Sequence, residues 1–305
     1  MTDAGRATPK KRPLRRRVAL LTVALLGAGL IAVEAYAISP SVRIAVADVW
    51  EGVGASGRLV GMLSDSDERV RAVASSALVR LGPAAIPACA RGVEHPDPRV
   101  RKFALFTLGQ LGPPAKIALA SILNRATNDP EPDVRKAAIQ ALPNVVDENS
   151  AATTTLAGIL ASGDTDGRLA AVKALGHPKL QSADGVAALS RALKDPAAQV
   201  RRDAAESLAA FGPTAAVAVP ALVDALRDPE ADVRVEAAET LGSLSAFAKS
   251  AVPGLIAALK DPHPKVRSEA AEALEQITRD WGDGEPTLRQ LALDALAQIN
   301  REPAP

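Results

Sequence analysis

One arginine recurs along the chain at nearly constant spacing: Arg71, Arg101, Arg135, Arg168, Arg201, Arg234 and Arg267. The steps are 30, 34, 33, 33, 33 and 33 residues. Val70, Val100, Val134, Val200, Val233 and Val266 precede it, and only Gly167 departs from the pattern. A period of this size argues against a globule with one centre. Each unit is too small to bury its own apolar face, so successive units must stack into a solenoid.

The unit is legible in the stretch 219–244, VPALVDALRDPEADVRVEAAETLGSL. It describes two helices and a turn. Asp228-Pro229 stands between them, and Asp97-Pro98, Asp129-Pro130, Asp195-Pro196 and Asp261-Pro262 repeat the device. Aspartate is a good N-cap, and proline suits a first helical turn, where its missing N–H had no intrahelical partner. Each such aspartate is therefore expected to cap the second helix. Val233, Ala237, Leu241 and Leu244 then recur at helical spacing and form one apolar stripe. Gly82, Gly112 and Gly212 are expected just past their second helices, where a left-handed backbone is needed. Second helices are expected at 67–81, 98–111, 132–142, 166–175, 198–211, 231–244 and 264–278.

This pattern resembles HEAT repeats, especially the short HEAT-like repeats of phycobilisome lyases and deoxyhypusine hydroxylase. The likeness rests on the first-helix prolines Pro87, Pro220 and Pro253, the turn aspartate, the Val-Arg pair and the Ala-Ala…Leu that follows, over roughly residues 55–300. It implies an all-α, right-handed α-solenoid of about seven HEAT-like hairpins. It also implies that second helices line the concave face and first helices the convex one.

Composition agrees with a stack filled by alanine and leucine: hydrophobic residues make up 48% and aromatics 2%. The net charge of +1 gives no global field toward nucleic acid. The single cysteine, Cys89, cannot form an internal disulfide and reads as packing on a first helix.

Before the repeats the composition changes. Residues 1–17 form a basic tail, with Arg6, Lys10, Lys11, Arg12, Arg15, Arg16 and Arg17 against one acid, Asp3. The run from Val18 to Val33 carries no charge over 16 residues, and extends to 21 at Ile38 if Glu34 snorkels at the far interface. Two readings stand. In one, 18–38 is an uncleaved transmembrane helix with the basic tail in the cytoplasm. In the other, it is a signal helix cleaved at Ala35-Tyr36-Ala37, giving a secreted or periplasmic product. Arg15-Arg16-Arg17 also admits a twin-arginine export signal. All of them place the solenoid outside the cytoplasm. Residues 39–54 read as a stem or a degenerate capping half-unit, and residues 55–302 as the repeat array.

Motifs for chemistry are scarce. His95, His177 and His263 each precede a proline in an expected loop, without the His-Glu pairs that hold iron in deoxyhypusine hydroxylase. Their scatter lacks metal-ligand spacing, so they read as solvated loop residues and no metal is expected. Gly27-Ala28-Gly29 has no strand before it and fails as a dinucleotide fingerprint. Asp164-Thr165-Asp166-Gly167 opens like a calcium loop, but Leu175 stands where the bidentate glutamate belongs. No catalytic cluster and no cofactor is expected.

The register arginines read as a structural ladder that bonds to turn aspartates of their own or neighbouring units. Binding residues are sought three and six positions after the repeat valine, on one helical face. There Phe103 and Phe106 give an aromatic surface in the second unit of the array, while Asp203, Glu206, Glu236, Glu239, Glu269 and Glu272 give six carboxylates in succession. Glutamate is also ordinary on a solvated helix, so a ligand groove and a bland surface both remain open. The function expected is non-catalytic binding of a protein partner, with the membrane engaged through the N-terminal helix. The alternatives are a lyase-like or chaperone-like accessory in chromophore or complex assembly, and a structural spacer.

Overall fold

The computed structural model describes residues 40–52, 54–146, 150–279 and 286–299. The basic tail and the apolar segment at 18–38 lie outside the described residues. Among the described residues every regular element is helical, and no helix is long and apolar enough to cross a membrane. The chain divides into two compact units, Met1–Ser121 and Ile122–Pro305.

The first unit contains α1 (Pro40–Gly52), α2 (Ser56–Gly61), α3 (Glu68–Arg80), α4 (Ile86–Gly92) and α5 (Pro98–Leu111). Helices α2 and α3 form one hairpin, and α4 and α5 the next. The second helices α3 and α5 pack side by side, as do the first helices α2 and α4. Helix α1 packs on α3, and its Arg43 Nε lies 2.8 Å from the Asp65 carboxylate.

Helix α6 (Leu119–Asn128) contains the division between the units. The second unit continues with second helices α7 (Pro132–Val145), α9 (Thr165–Leu175), α11 (Ala198–Ala209), α13 (Ala231–Ser243) and α15 (Pro264–Arg279). Alternating with them are α8 (Ser150–Ser162), α10 (Ala183–Ala192), α12 (Val219–Ala225) and α14 (Val252–Ala258), and α16 (Pro286–Ile299) follows. Each second helix packs on the next, from α7 through α15. The helical stripe explains the core: Val233, Ala237, Leu241 and Leu244 are all buried. Small residues set the spacing between neighbours. A Cβ on Gly242 of α13 would stand 2.9 Å from the Ala273 Cα of α15, so only glycine permits this approach.

The turn between the two helices carries the other tie. The register arginine reaches back along its own unit, and Nη1 donates to backbone carbonyls five and six residues earlier. Arg201 does so to Asp195 and Pro196, Arg234 to Asp228 and Pro229, and Arg267 to Asp261 and Pro262. Arg71, Arg101 and Arg135 repeat both bonds, and Arg168 donates to Gly163 alone. The other edge of the guanidinium points to the following unit. Arg168 grips Asp195 at 2.7 and 3.0 Å, Arg201 grips Asp228 at 2.6 and 2.8 Å, and Arg234 grips Asp261 at 2.8 and 2.9 Å. Such paired, charge-assisted bonds are both strong and geometrically specific.

This changes the role of the turn aspartates. Only Asp97 of the Asp-Pro pairs caps its second helix, accepting from the Arg99 N–H at 2.8 Å. Asp195, Asp228 and Asp261 lie farther back, and α11 and α13 take Ala197 and Glu230 at the cap. Their side chains accept from the N–H two residues on, at 2.8 to 2.9 Å. That bond closes an Asx turn and leaves the carboxylate aimed at the preceding arginine. In the degraded unit Asp164 caps α9 through the Gly167 N–H and also pairs with Arg135. The Gly167 N–H, with Arg135, holds its carboxyl below the usual range.

Past the second helices, Gly82, Gly112 and Gly212 all adopt positive φ. Ser245 occupies the corresponding place after α13 with φ 50°. Gly112 has φ 71° and ψ −148°, a region that essentially only glycine populates.

Three substitutions test these features. Arg234→Ala removes bonds to two carbonyls and to the Asp261 carboxylate, whose side chain is 10% exposed. Urea unfolding should show a loss of about 2 kcal/mol or more, the scale of hydrogen bonds to charged groups. Arg69→Ala, at a site 74% exposed, should be close to neutral. Gly112→Ala should cost about 1–3 kcal/mol through backbone strain alone.

Candidate partner-binding face

Helices α11, α13 and α15 lie side by side and carry the six carboxylates. The structure divides them. Glu206, Glu239 and Glu272 are exposed, Glu236 and Glu269 are half-buried, and Asp203 is buried at 1% exposure. The position six after the repeat valine faces outward, whereas the position three after it points toward the seam between neighbouring second helices. Ala137 and Ala170, at the same place in earlier units, are buried too.

Asp203 therefore leaves the binding set. Its Oδ1 accepts from Gln199 Nε2 at 2.8 Å and from Arg202 Nη2 at 2.7 Å, and Lys173 Nζ stands 3.6 Å from Oδ2. The carboxylate is paired with Arg202 and Lys173 inside the repeat stack instead of being offered to a partner. Lys173, six positions after the start of its own unit's pattern, and Arg202, immediately before Asp203, were the signals in the sequence for an internal ion pair.

The remaining five form an acidic face. Burial pushes Glu236 up to about 7, Glu239 and Glu206 push in the same direction, and Arg202 and Lys265 oppose them. Glu269 is raised by burial and by Glu272 and Glu239, against Lys265. Ionising these groups is costly because desolvation and like charge act together.

In the compact unit Met1–Ser121, Phe106 is 53% exposed and Phe103 is half-buried. The Arg71 Cζ lies 5.6 Å from the centroid of the Phe103 ring, within the range of a cation–π contact.

The histidines are half-buried and are not simply solvated loop residues. His95 Nδ1 accepts from the Asp97 N–H at 3.0 Å, and His177 Nδ1 from the Lys179 N–H at 3.3 Å. Among the described residues no group of three or more His, Cys, Asp or Glu is arranged to hold a metal ion. Cys89 is buried, and that burial pushes its thiol up to about 12.

Glu236 yields a pH test with a definite sign. Its folded pKa lies above the ordinary 4.5, so the native chain holds the proton more tightly than the unfolded chain. Its contribution favours folding at low pH and is lost as pH rises through about 7. Glu236→Gln should therefore melt higher than wild type at pH 8. The gap should close as pH falls from 7 toward 4.5 in thermal scans.

The model of the HEAT repeats family matches residues 56–143, 152–229 and 219–304. No curated protein sequence matches the chain. Importin beta is similar over 85% of this chain and 41% of its own, with TM-score 0.57 and 17% identity. The Escherichia coli protein YibA is similar over 97% of this chain and all of its own, with TM-score 0.53 and 18% identity. An engineered protein is similar over 92% of this chain and 87% of its own, with TM-score 0.51 and 20% identity. At these identities the likeness speaks to the fold alone. The family match covers most of the chain and coincides with the helical hairpins and their arginine ties, and the chain belongs to the HEAT repeat family.

Proposed function

We propose that this HEAT repeat chain is a non-catalytic scaffold that binds a protein partner, and that the acidic face of α11, α13 and α15 receives a basic segment of that partner. One observation carries the reading. Glu206, Glu236, Glu239, Glu269 and Glu272 share neighbouring helices, and Arg202 and Lys265 are the cations that oppose the charge of Glu236. Burial is the larger cause of the raised Glu236, and a basic partner offsets the like-charge part added by Glu239 and Glu206. A row of helices also suits the chemistry, because repeat arrays bind through many modest contacts over an extended surface.

The same reading places the scaffold at a membrane. The support is the sequence: the uncharged run at 18–33, its extension to 38 and the basic residues before it. The repeats then stand on the extracytoplasmic side.

The test is capture from detergent-solubilised membranes with a C-terminal tag. Glu236→Lys/Glu239→Lys should reduce recovery of the specific partner by about tenfold, and recovery by wild type should fall with added salt. Unchanged capture at unchanged melting temperature overturns the acidic-face reading. The mass of the tagged chain in the membrane fraction reads the anchor: full length supports it, and a shorter soluble product shows cleavage.

A further inference from the structure

The described rungs of the arginine ladder share a rule, and the turn after Arg71 departs from it. Arg43, Arg135, Arg168, Arg201 and Arg234 each meet a carboxylate of the following unit: Asp65, Asp164, Asp195, Asp228 and Asp261. Asp65, Asp195, Asp228 and Asp261 stand six residues before the register arginine of their own unit. In the unit that follows Arg71, this position holds His95.

His95 performs only half of the aspartate's work. Its Nδ1 accepts from the Asp97 N–H at 3.0 Å, just as Asp195 Oδ1 accepts from the Ala197 N–H at 2.8 Å. A neutral imidazole that accepts through Nδ1 carries its proton on Nε2, which is then a donor. The ring has no further acceptor to offer a guanidinium.

Arg71 registers the loss. Its Nη1 keeps the bonds to the Asp65 and Ser66 carbonyls, at 2.7 and 3.0 Å. Its Nε is buried without a hydrogen-bond partner, and Nη2 makes no hydrogen bond among the described residues. The guanidinium lies over Phe103 instead. One helical turn along the same face stands Phe106, 53% exposed. A guanidinium without a carboxylate partner among the described residues is thus placed on one aromatic ring, with a second ring open to solvent on the same helix.

We propose that Arg71, with Phe103 and Phe106, recognises an acidic side chain of a partner protein that is flanked by an apolar residue. The incoming carboxylate pairs with the Nη2 end of the Arg71 guanidinium, and the flanking residue covers Phe106. The bond is charge-assisted, and the partly buried setting strengthens it. The proposal rests on the reading of the chain as a protein-binding scaffold, but it uses the first unit and the opposite charge.

The test uses the full chain with labelled arginine side chains, read by NMR at the Arg71 Nε–H. The probes are 3-phenylpropionate, its neutral amide, and inorganic phosphate. The acid should give a saturable shift at Arg71, with the amide giving none and phosphate a weaker one. His95→Asp supplies the missing carboxylate from within the chain. It should weaken the acid's binding by about tenfold or more while leaving the melting temperature at or above that of wild type. Phe106→Ala, at an exposed site, should weaken it several-fold without loss of stability.

A response to the amide equal to that of the acid, a stronger response to phosphate, or no saturable response at Arg71 overturns the proposal. So does a folded His95→Asp chain that binds the acid as wild type does. Glu236→Lys/Glu239→Lys should bind the probe normally, so failure of the acidic face and failure at Arg71 are told apart.

Discussion

The bond on which the repeats depend is the guanidinium that serves two turns at once. One nitrogen of Arg234 closes its own turn by donating to Asp228 and Pro229, and the opposite edge holds Asp261 of the next unit. The aspartate is equally divided, because Oδ1 also accepts from the His263 N–H. Apolar stacking alone would let neighbouring helices slide by a turn, since alanine and leucine pack with little directional preference. The paired bonds remove that freedom, because they form in one register only.

Rigidity of this kind decides where functional chemistry can appear. Arg135, Arg168, Arg201 and Arg234 are committed at both ends, so binding must come either from positions that face away from the seams or from places where the ladder is incomplete. Glu206, Glu239 and Glu272 illustrate the first case, and Arg71 the second. Glu236 and Glu269 fall between these cases: they sit near the seam, lose part of their hydration, and keep their charge only against burial and like-charged neighbours.

Much of the architecture was legible because the period is a physical requirement. Val-Arg, the apolar stripe and the glycines after the helices all repeat for local reasons, and Gly82, Gly112 and Gly212 adopt the expected positive φ. The errors arose where a local rule competed with a neighbouring unit. Asp228 reads as an N-cap from its own sequence, yet it serves the arginine 27 residues before it. Asp203 reads as one of six surface acids, but it faces the seam and is claimed by Gln199, Arg202 and Lys173. The exception at His95 was visible as a letter, but its meaning was not. Only the distance between Arg71 and the Phe103 ring, together with the unpartnered Nε, shows what the substitution changes.

The equal 27-residue reach of Arg168, Arg201 and Arg234 has a consequence for how such a chain can change length. A deletion or duplication between equivalent points of these units rejoins an arginine to an aspartate of the same type in the same turn. The arginine–aspartate bond at the junction is then restored without any compensating substitution. For this bond the units of the stretch are equivalent, whereas a cut between Arg71 and Arg101 would join a carboxylate turn to a histidine turn. The ladder that fixes the register of the protein thereby also marks which segments can be gained or lost by recombination within the reading frame.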